Sequence, residues 1–212
     1  KLEKWVIDRR IEIMKKEGVR FETNANVGVN VDAQALVNEY NAVLLCGGAT
    51  IPRDLDIPGR ELKGVHFAME FLEQNNRRVA GDTIEEEAIL ATDKNVLVIG
   101  GGDTGSDCMG TSNRHKAKTL TQIELLPKPP KERDPLTWPN WPMILRTSSS
   151  HEEGGEREWS ILTKEFIGDE NGHLKAVKIV NLEWAKNAAT GRYGFEEIEG
   201  SEREIPCELA LL

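Results

Sequence analysis

The beginning of the chain alternates between helical and extended patterns of apolar side chains. Apolar residues recur at helical spacing between charged residues over 2–17, which predicts an amphipathic helix. Alternation predicts a short strand at 19–23, and Asp32 is placed to cap a second helix that ends at residue 40. The compact apolar run at 41–46 then predicts a strand that ends at two glycines.

The middle of the chain is interrupted by irregular and polar segments. Two prolines within 50–59 are incompatible with a regular element there, and a helical pattern resumes at 65–74. Residues 77–93 are polar and include three consecutive glutamates, which indicates a solvated connector. We therefore expect a domain boundary in this polar segment.

The second half of the chain opens with an apolar strand and closes with a series of strands. The run at 95–99 predicts a buried strand, followed by a helix to about residue 115 and a second strand at 118–126. Prolines and tryptophans at 127–142 argue against regular structure there. The later segments alternate between Gly- and Asn-containing turns, which predicts an antiparallel meander and a final apolar strand. These strands are expected at 161–167, 173–184, 193–198 and 207–212.

The charge balance and the apolar content narrow the function classes. The 212 residues include 27 Lys and Arg against 36 Asp and Glu, which gives a formal net charge of -9. This charge disfavours nucleic acids and anionic membrane surfaces as partners. No stretch approaches the roughly 18–20 apolar residues that cross a bilayer. A cytoplasmic protein without a membrane partner is expected.

The cysteines and histidines do not indicate a metal site or a nucleophilic centre. Cys46, Cys108 and Cys207 lie too far apart for a metal-binding pair and are interpreted as reduced core thiols. His151 is followed by two glutamates, but residue 155 is glycine, so the HExxH zinc pattern is not formed. No Ser/His/Asp set can be recognised from the sequence.

The clearest chemical motif is the glycine-rich turn after the strand at 95–99. Gly100, Gly102 and Gly105 satisfy GxGxxG between a predicted strand and a predicted helix. In dinucleotide-binding folds the first glycine permits a tight turn, the second admits a pyrophosphate, and the third lets helix and strand pack closely. The helix start, which Asp103 would cap or orient, offers unpaired N–H groups and a positive dipole end to phosphates. The predicted cofactor ligands here are Gly100, Gly101, Gly102, Asp103, Thr104 and Gly105.

Two sets of residues bear on the choice between NADH and NADPH, and they conflict. Glu124 lies near the end of the second strand, 19 positions beyond Gly105, where an acidic residue reaches the adenine ribose hydroxyls and favours NADH. Arg114 and Arg133 belong to a group of cations around this strand that could pair with the 2′-phosphate of NADPH. Solvated surface charges would give the same pattern, so the coenzyme stays open.

Several consecutive motifs resemble one enzyme family. The run GGGDTGSDCMGTSNRH and the later stretches LLPKPP, WPNWP and SSSHEEGG resemble the small (β) subunit of glutamate synthase and related FAD-dependent, NAD(P)H-linked oxidoreductases. Upstream, EYNAVLLCGGATIPRDLDIPG and GVHFAMEFL look like the later portion of that family's FAD domain. The resemblance covers nearly the whole chain.

The resemblance implies an α/β fold of the two-dinucleotide-binding flavoprotein type. A Rossmann-like NAD(P)-binding domain with an antiparallel β-meander would be inserted in a partial FAD-binding domain. The expected parts are a partial FAD domain at 1–76, a connector at 77–93 and an NAD(P)H domain at 94–212. The family's FAD fingerprint would precede residue 1, so the chain is expected to be the inactive middle part of a longer flavoprotein.

The resemblance also implies the chemistry. NADPH or NADH would give hydride to FAD, and iron–sulfur clusters outside this chain would pass electrons to a glutamate synthase large subunit or an equivalent domain, where 2-oxoglutarate and glutamine yield glutamate. The cofactors carry this redox chemistry, so no catalytic side chain is expected. Gly47 and Gly48 would approach FAD, and Val27 would lie near its adenine. Two alternatives stay open: another FAD- and NAD(P)H-dependent reductase of this family, or a regulatory module that binds a dinucleotide without catalysis.

Overall fold

The computed structural model describes residues 3–133, 139, 144–186, 191 and 193–212. The chain divides into two compact units, Lys1–Ile51 and Pro52–Leu212, and each is described by itself.

The first unit contains both of the helices that its sequence predicts. Helix α1 (Lys4–Lys16) ends before Gly18, whose φ of 93° lies in the left-handed region that favours glycine. Helix α2 (Ala33–Glu39) begins after Asp32, whose carboxylate accepts a hydrogen bond of 3.0 Å from the backbone N–H of Gln34. The predicted cap is confirmed.

The two strands predicted for the first unit are absent, and those predictions are wrong. Residues 19–23 and 41–46 are described and adopt no strand conformation. Leu44 and Leu45 are 86% and 87% exposed, although they lie in the most apolar run of this unit. The β-bridge in the described part of the unit joins Val27 to Val31, so neither run has a ladder partner. A strand needs such a partner for its backbone N–H and C=O groups.

The second unit is built on a five-stranded parallel sheet and an antiparallel sheet. The strands are β1 (Val65–His66), β2 (Asn95–Ile99), β3 (Thr119–Glu124), β4 (Glu156–Trp159), β5 (Ile161–Gly168), β6 (Leu174–Lys186), β7 (Tyr193–Glu197), β8 (Arg203–Pro206) and β9 (Leu209–Leu211). The parallel sheet has the order β1-β9-β2-β3-β4, so the last strand of the chain lies between the first two strands of this unit. Strands β5, β6 and β7 form an antiparallel meander, and β8 pairs with β6 on the edge opposite β5.

Both faces of the parallel sheet are covered. On one face, Val96 and Val98 of β2 pack in a cluster with Phe71 of helix α3 (Ala68–Ala80) and Met109 of helix α4 (Asp103–Arg114). On the other face, Leu97 packs in a cluster that includes side chains of the antiparallel sheet. A parallel strand that is buried on both faces is apolar along its length, which explains the uninterrupted apolar run at 96–99 in β2. The predicted α/β fold with an antiparallel meander is confirmed.

The element boundaries of this unit differ from the sequence prediction in two places. The pattern at 65–74 predicts one helix, but β1 occupies its start, because Val65 pairs with Ala210. Helix α3 continues to Ala80 and therefore enters the segment predicted as a connector. The assignment of 1–76 to FAD, 77–93 to a connector and 94–212 to NAD(P)H stays a prediction, since compactness does not report which cofactor a segment holds.

Candidate dinucleotide-binding site

The glycine turn connects the carboxyl end of β2 to the start of α4. Gly100 has a φ of 118°, which favours glycine, and its N–H donates a 2.9 Å hydrogen bond to the Ile123 carbonyl of β3. Gly102 is the N-cap, and the first turn of α4 is closed by a 3.0 Å bond from the Ser106 N–H to the Gly102 carbonyl. The N–H groups of the residues between them therefore have no acceptor within the helix. The prediction that Asp103 caps the helix is wrong, because Gly102 is the N-cap and no side chain caps it. The Asp103 carboxylate lies instead in the first turn, at the positive end of the helix dipole.

Two glycines of the turn are required by neighbouring protein atoms, and one is not. A Cβ at Gly105 would overlap the Gly100 carbonyl oxygen at the end of β2 and would stand 2.8 Å from the Nε2 of Gln122 on β3, which confirms the predicted close packing of helix and strand. A Cβ at Gly101 would overlap the carboxylate of Glu124. A Cβ at Gly102 would meet no protein atom within 4 Å. The protein therefore gives no packing reason for a glycine at 102, and the space beside it is open to a ligand.

A cavity of about 510 Å³ lies in front of the turn, at the carboxyl ends of β2 and β9. In open α/β sheets, ligands bind outside the carboxyl ends of the strands. The start of α3 also lines this cavity. It is held there because the Ala68 N–H donates a 2.7 Å hydrogen bond to the carbonyl of Leu212, which follows β9 and lines the same cavity. Arg53 lines the cavity and places an exposed cation beside the turn. The lining includes Ile99, Gly102, Thr104 and Leu212.

Glu124 lies beside the glycine turn and is held by a residue that the sequence analysis did not single out. Arg157 of β4 places its Nη2 atom 3.8 Å from a Glu124 carboxylate oxygen, because β4 runs parallel to β3. The Arg157 guanidinium also stacks over the ring of Trp159 at 5.1 Å, and its Nη1 donates a 3.0 Å bond to the Arg146 carbonyl. The Nε of Arg157 is buried without a hydrogen-bond partner among the described residues. Strand β4 carries no clear alternation, so the sequence offers no signal for this pairing.

The two arginines predicted as 2′-phosphate ligands are placed differently. Arg114 ends α4, at the opposite end from the glycine turn, and 11 residue steps correspond to about 16 Å of helix. It forms a 2.5 Å ion pair with Glu153. The structure therefore does not bring Arg114 to the turn. Arg133 is exposed in the segment after β3, and its role stays a prediction.

His151 is a second residue near the glycine turn to which the sequence assigned no role. It lies on the short helix α5 (Ser149–Glu152), and its Nδ1 accepts a 3.1 Å hydrogen bond from the Ser148 N–H. Burial lowers the pKa of this imidazole, and the charge of Arg157 lowers it further. The neutral form is thus favoured at neutral pH. The SSSHEEGG motif marks this residue in the sequence, but the motif alone does not show which atoms His151 contacts.

The residues predicted to approach FAD lie in the first unit and are exposed. Val27 is 51% exposed, and a Cβ at either Gly47 or Gly48 would meet nothing within 4 Å. The contacts of this unit therefore do not test whether these three residues approach a flavin, and their roles stay predictions. Among the residues with described positions, no cluster of three His, Cys, Asp or Glu side chains could hold a metal. No helix in the described ranges is long and apolar enough to span a membrane.

Comparison with known proteins agrees with the fold and with the resemblance. The chain is 46% identical to the glutamate synthase (NADH) of Schizosaccharomyces pombe and 44% identical to the glutamate synthase (NADPH) small chain of Mycobacterium tuberculosis, over its full length in both cases. It spans only 10% and 43% of those two proteins. The NADPH-dependent small chain of Escherichia coli is 31% identical over the whole chain.

Solved structures and a family description complete the comparison. FprA from Mycobacterium tuberculosis, as a His57Gln mutant, superposes with a TM-score of 0.60 over 97% of this chain and 57% of that one, at 16% identity. The same protein in complex with NADPH gives a TM-score of 0.59 at 15% identity. These likenesses establish the shared fold alone. The family described as "Pyridine nucleotide-disulphide oxidoreductase" matches residues 6–137. The chain therefore belongs to the pyridine nucleotide-disulphide oxidoreductase family.

Proposed function

We propose that the glycine turn and the adjoining cavity bind NAD(P)H for a flavin-dependent oxidoreductase of the glutamate synthase type. The observation that carries this proposal is the open space at Gly102, next to the start of α4 and a cavity of about 510 Å³. A glycine with an unstrained φ of -75° and no neighbour within 4 Å has no structural need to be glycine. A pyrophosphate that binds close to the backbone would explain the glycine, because a side chain at 102 would occupy its space.

The described residues fit a dinucleotide in three places. The first-turn N–H groups of α4 and its dipole favour the pyrophosphate, and Arg53 adds a cation beside it. The apolar side chains of Ile99 and Leu212 line the floor of the cavity, where they limit water next to the bound coenzyme. When bound, the nicotinamide supplies the hydride that a flavin accepts. The protein's contribution is position and electrostatics, without a side-chain acid or base.

Glu124 and Arg157 are the residues that we propose to select the coenzyme. The carboxylate at the end of β3 is suited to accept hydrogen bonds from the ribose hydroxyls of NADH. Arg157, at 3.8 Å, fixes this carboxylate and lowers its repulsion toward a 2′-phosphate. The chain has relatives named for NADH and relatives named for NADPH, which is compatible with a site where Arg157 offsets the charge of Glu124.

The wider assignment rests on the relatives. Because they are glutamate synthases or their small chains, we propose that the full protein passes electrons from NAD(P)H through FAD to a large subunit or equivalent domain that forms glutamate. Iron–sulfur clusters would lie outside the present chain. A cytoplasmic location follows from the same proposal.

Calorimetric titration with NADH and with NADPH tests the binding site. The wild-type chain should bind at least one of them, and Gly102→Val should abolish binding, because two methyl groups would fill the space of the pyrophosphate. Gly194→Val is the matched control, since a Cβ at Gly194 also meets nothing within 4 Å but lies on the antiparallel sheet. Binding that survives in Gly102→Val, with melting temperatures unchanged, would contradict the proposed site.

Reduction of the flavin separates an enzyme from a regulatory module. The full-length flavoprotein should lose its oxidised flavin absorbance when NAD(P)H is added without oxygen. The Gly102→Val form of that protein should keep its flavin oxidised. A full-length protein that binds NAD(P)H but never reduces its flavin would favour the regulatory alternative.

A further inference from the structure

A chain of hydrogen bonds runs beneath the glycine turn and connects it to α5. The side chain of Gln122, on β3, is only 1% exposed, and its Nε2 donates a 2.8 Å bond to the Gly100 carbonyl. On its other side, the Gln122 Oε1 lies 3.0 Å from the Nε2 of His151. The Ser148 hydroxyl lies 3.0 Å from the other ring nitrogen of His151 and also contacts the Ser106 hydroxyl of α4. The SSSHEEGG segment is thus connected to the glycine turn through the buried side chain of Gln122.

The directions of the bonds through His151 and Gln122 are fixed. The Nδ1 of His151 accepts from the Ser148 N–H, so in the neutral ring the proton lies on Nε2. That Nε2–H donates to the Oε1 of Gln122. Only the amide NH₂ of Gln122 can donate to a carbonyl, so it faces Gly100. The tautomer of the histidine therefore determines which way the buried amide points.

The orientation of the Gly100 carbonyl determines where the next N–H points. A trans peptide is planar, and its C=O and N–H groups point in opposite directions. Because the Gly100 oxygen is held by the Gln122 side chain, the N–H of Gly101 points away from Gln122. Gly100 has no Cβ and a φ of 118°, so its own conformational preference would not hold this peptide in place.

The third glycine of the motif makes room for this support. A Cβ at Gly105 would overlap the Gly100 oxygen and would stand 2.8 Å from the Nε2 of Gln122. A side chain at 105 would therefore displace the bond itself, in addition to pushing the helix from the strand.

We propose that His151 is a positioning residue for the dinucleotide, which acts through Gln122 to hold the Gly100 carbonyl and so aims the Gly101 N–H at the pyrophosphate. The inference rests on the proposed binding function and names a support for it. In this proposal His151 acts on the coenzyme only through Gln122.

Two substitutions separate this role from the structural role of His151 in α5. Asparagine at 151 can still accept from the Ser148 N–H but does not reach Gln122, whereas glutamine reaches Gln122 but gives up the Nδ1 acceptor. His151→Asn should weaken the binding of the preferred coenzyme about tenfold, the effect of one hydrogen bond. His151→Gln should bind within about twofold of wild type. His173→Asn, at an exposed position that bridges to Lys63, is the control and should bind as wild type does.

Nuclear magnetic resonance of the coenzyme-free chain gives an independent measurement. The amide resonance of Gly101 should move in His151→Asn and stay in place in His151→Gln and His173→Asn. Equal shifts in both His151 variants, or a shift in the glutamine variant alone, would overturn the inference. If the wild-type chain binds neither coenzyme, the proposed function fails, while the resonance of Gly101 still decides whether His151 orients this peptide. If the wild type binds and His151→Asn binds equally well, the inference alone fails.

Discussion

Two segments of the chain have the same pattern in sequence and different structures. Residues 41–48 and residues 95–102 are both apolar runs that end in glycines. In the first, Leu45 is 87% exposed and no strand forms. In the second, Leu97 is fully buried, and the strand pairs with β3 on one side and β9 on the other.

The difference lies in the neighbours of the two runs. The run at 95–99 receives ladder hydrogen bonds from both sides and packing from helices above and the antiparallel sheet below. The run at 41–46 has no such partners among the described residues of its unit. An apolar run is thus only a candidate strand, and its pairing and burial come from segments that are distant in sequence.

The largest expected difference between the two runs is in stability. Leu97→Ala should lower the free energy of unfolding by about 2–5 kcal/mol, because it leaves a cavity under the sheet. Leu45→Ala should change it by less than about 0.5 kcal/mol, because that side chain is exposed. Urea denaturation followed by circular dichroism measures both. Equal losses would mean that the first run is buried in solution.

A second expected difference concerns the glycines. Gly105→Ala should lower the stability, because overlap with the Gly100 carbonyl costs about 1–3 kcal/mol and the gain in helix propensity is at most about 1 kcal/mol. Gly47→Ala should be nearly neutral, since nothing lies within 4 Å of its Cβ. Thermal melting of the two variants tests this ranking, and a stabilised Gly105→Ala protein would contradict the close packing.

A smaller effect is expected in the choice between NADH and NADPH, which involves the run at 95–102 and not the run at 41–48. Glu124→Gln keeps the shape of the side chain but removes the charge, so it should shift the ratio of NADH to NADPH affinity about tenfold toward NADPH. Glu183→Gln, an exposed change on β6, serves as the control. An unchanged ratio in calorimetric titrations would remove Glu124 from the coenzyme site.

The smallest expected effect is the pH dependence of the support beneath the second turn. Because the pKa of His151 is lowered in the folded protein, its neutral form contributes stability above the usual histidine pKa of about 6.5. That contribution is lost as the pH falls through the lower folded pKa. Wild type should therefore lose more stability than His151→Asn on acidification below about pH 6.5, as measured by urea denaturation. His66, whose pKa is also lowered by burial, is present in both proteins and cancels in the comparison.

The sequence predicted those parts of the site that are local in the chain. The strand at 95–99, the glycine turn and the helix after it follow one another directly, so periodicity and the GxGxxG spacing were sufficient. Glu124 was predicted near the end of the second strand, and it is the last residue of β3, while its role toward the ribose stays a prediction. Arg157 and His151 were not predicted, because they reach the turn through strand pairing and helix packing across more than 20 residues.

By itself, the sequence determined which segments can form helices, strands and a phosphate-binding turn, since those preferences depend on residues a few positions apart. Only the tertiary structure decided that β9 enters the parallel sheet between β1 and β2, that the apolar run at 41–46 has no strand partner among the described residues, and that Arg157 faces Glu124. The physical reason is that hydrogen-bond partners, burial and the pKa of a buried side chain are set by atoms that meet in space, whatever their separation along the chain.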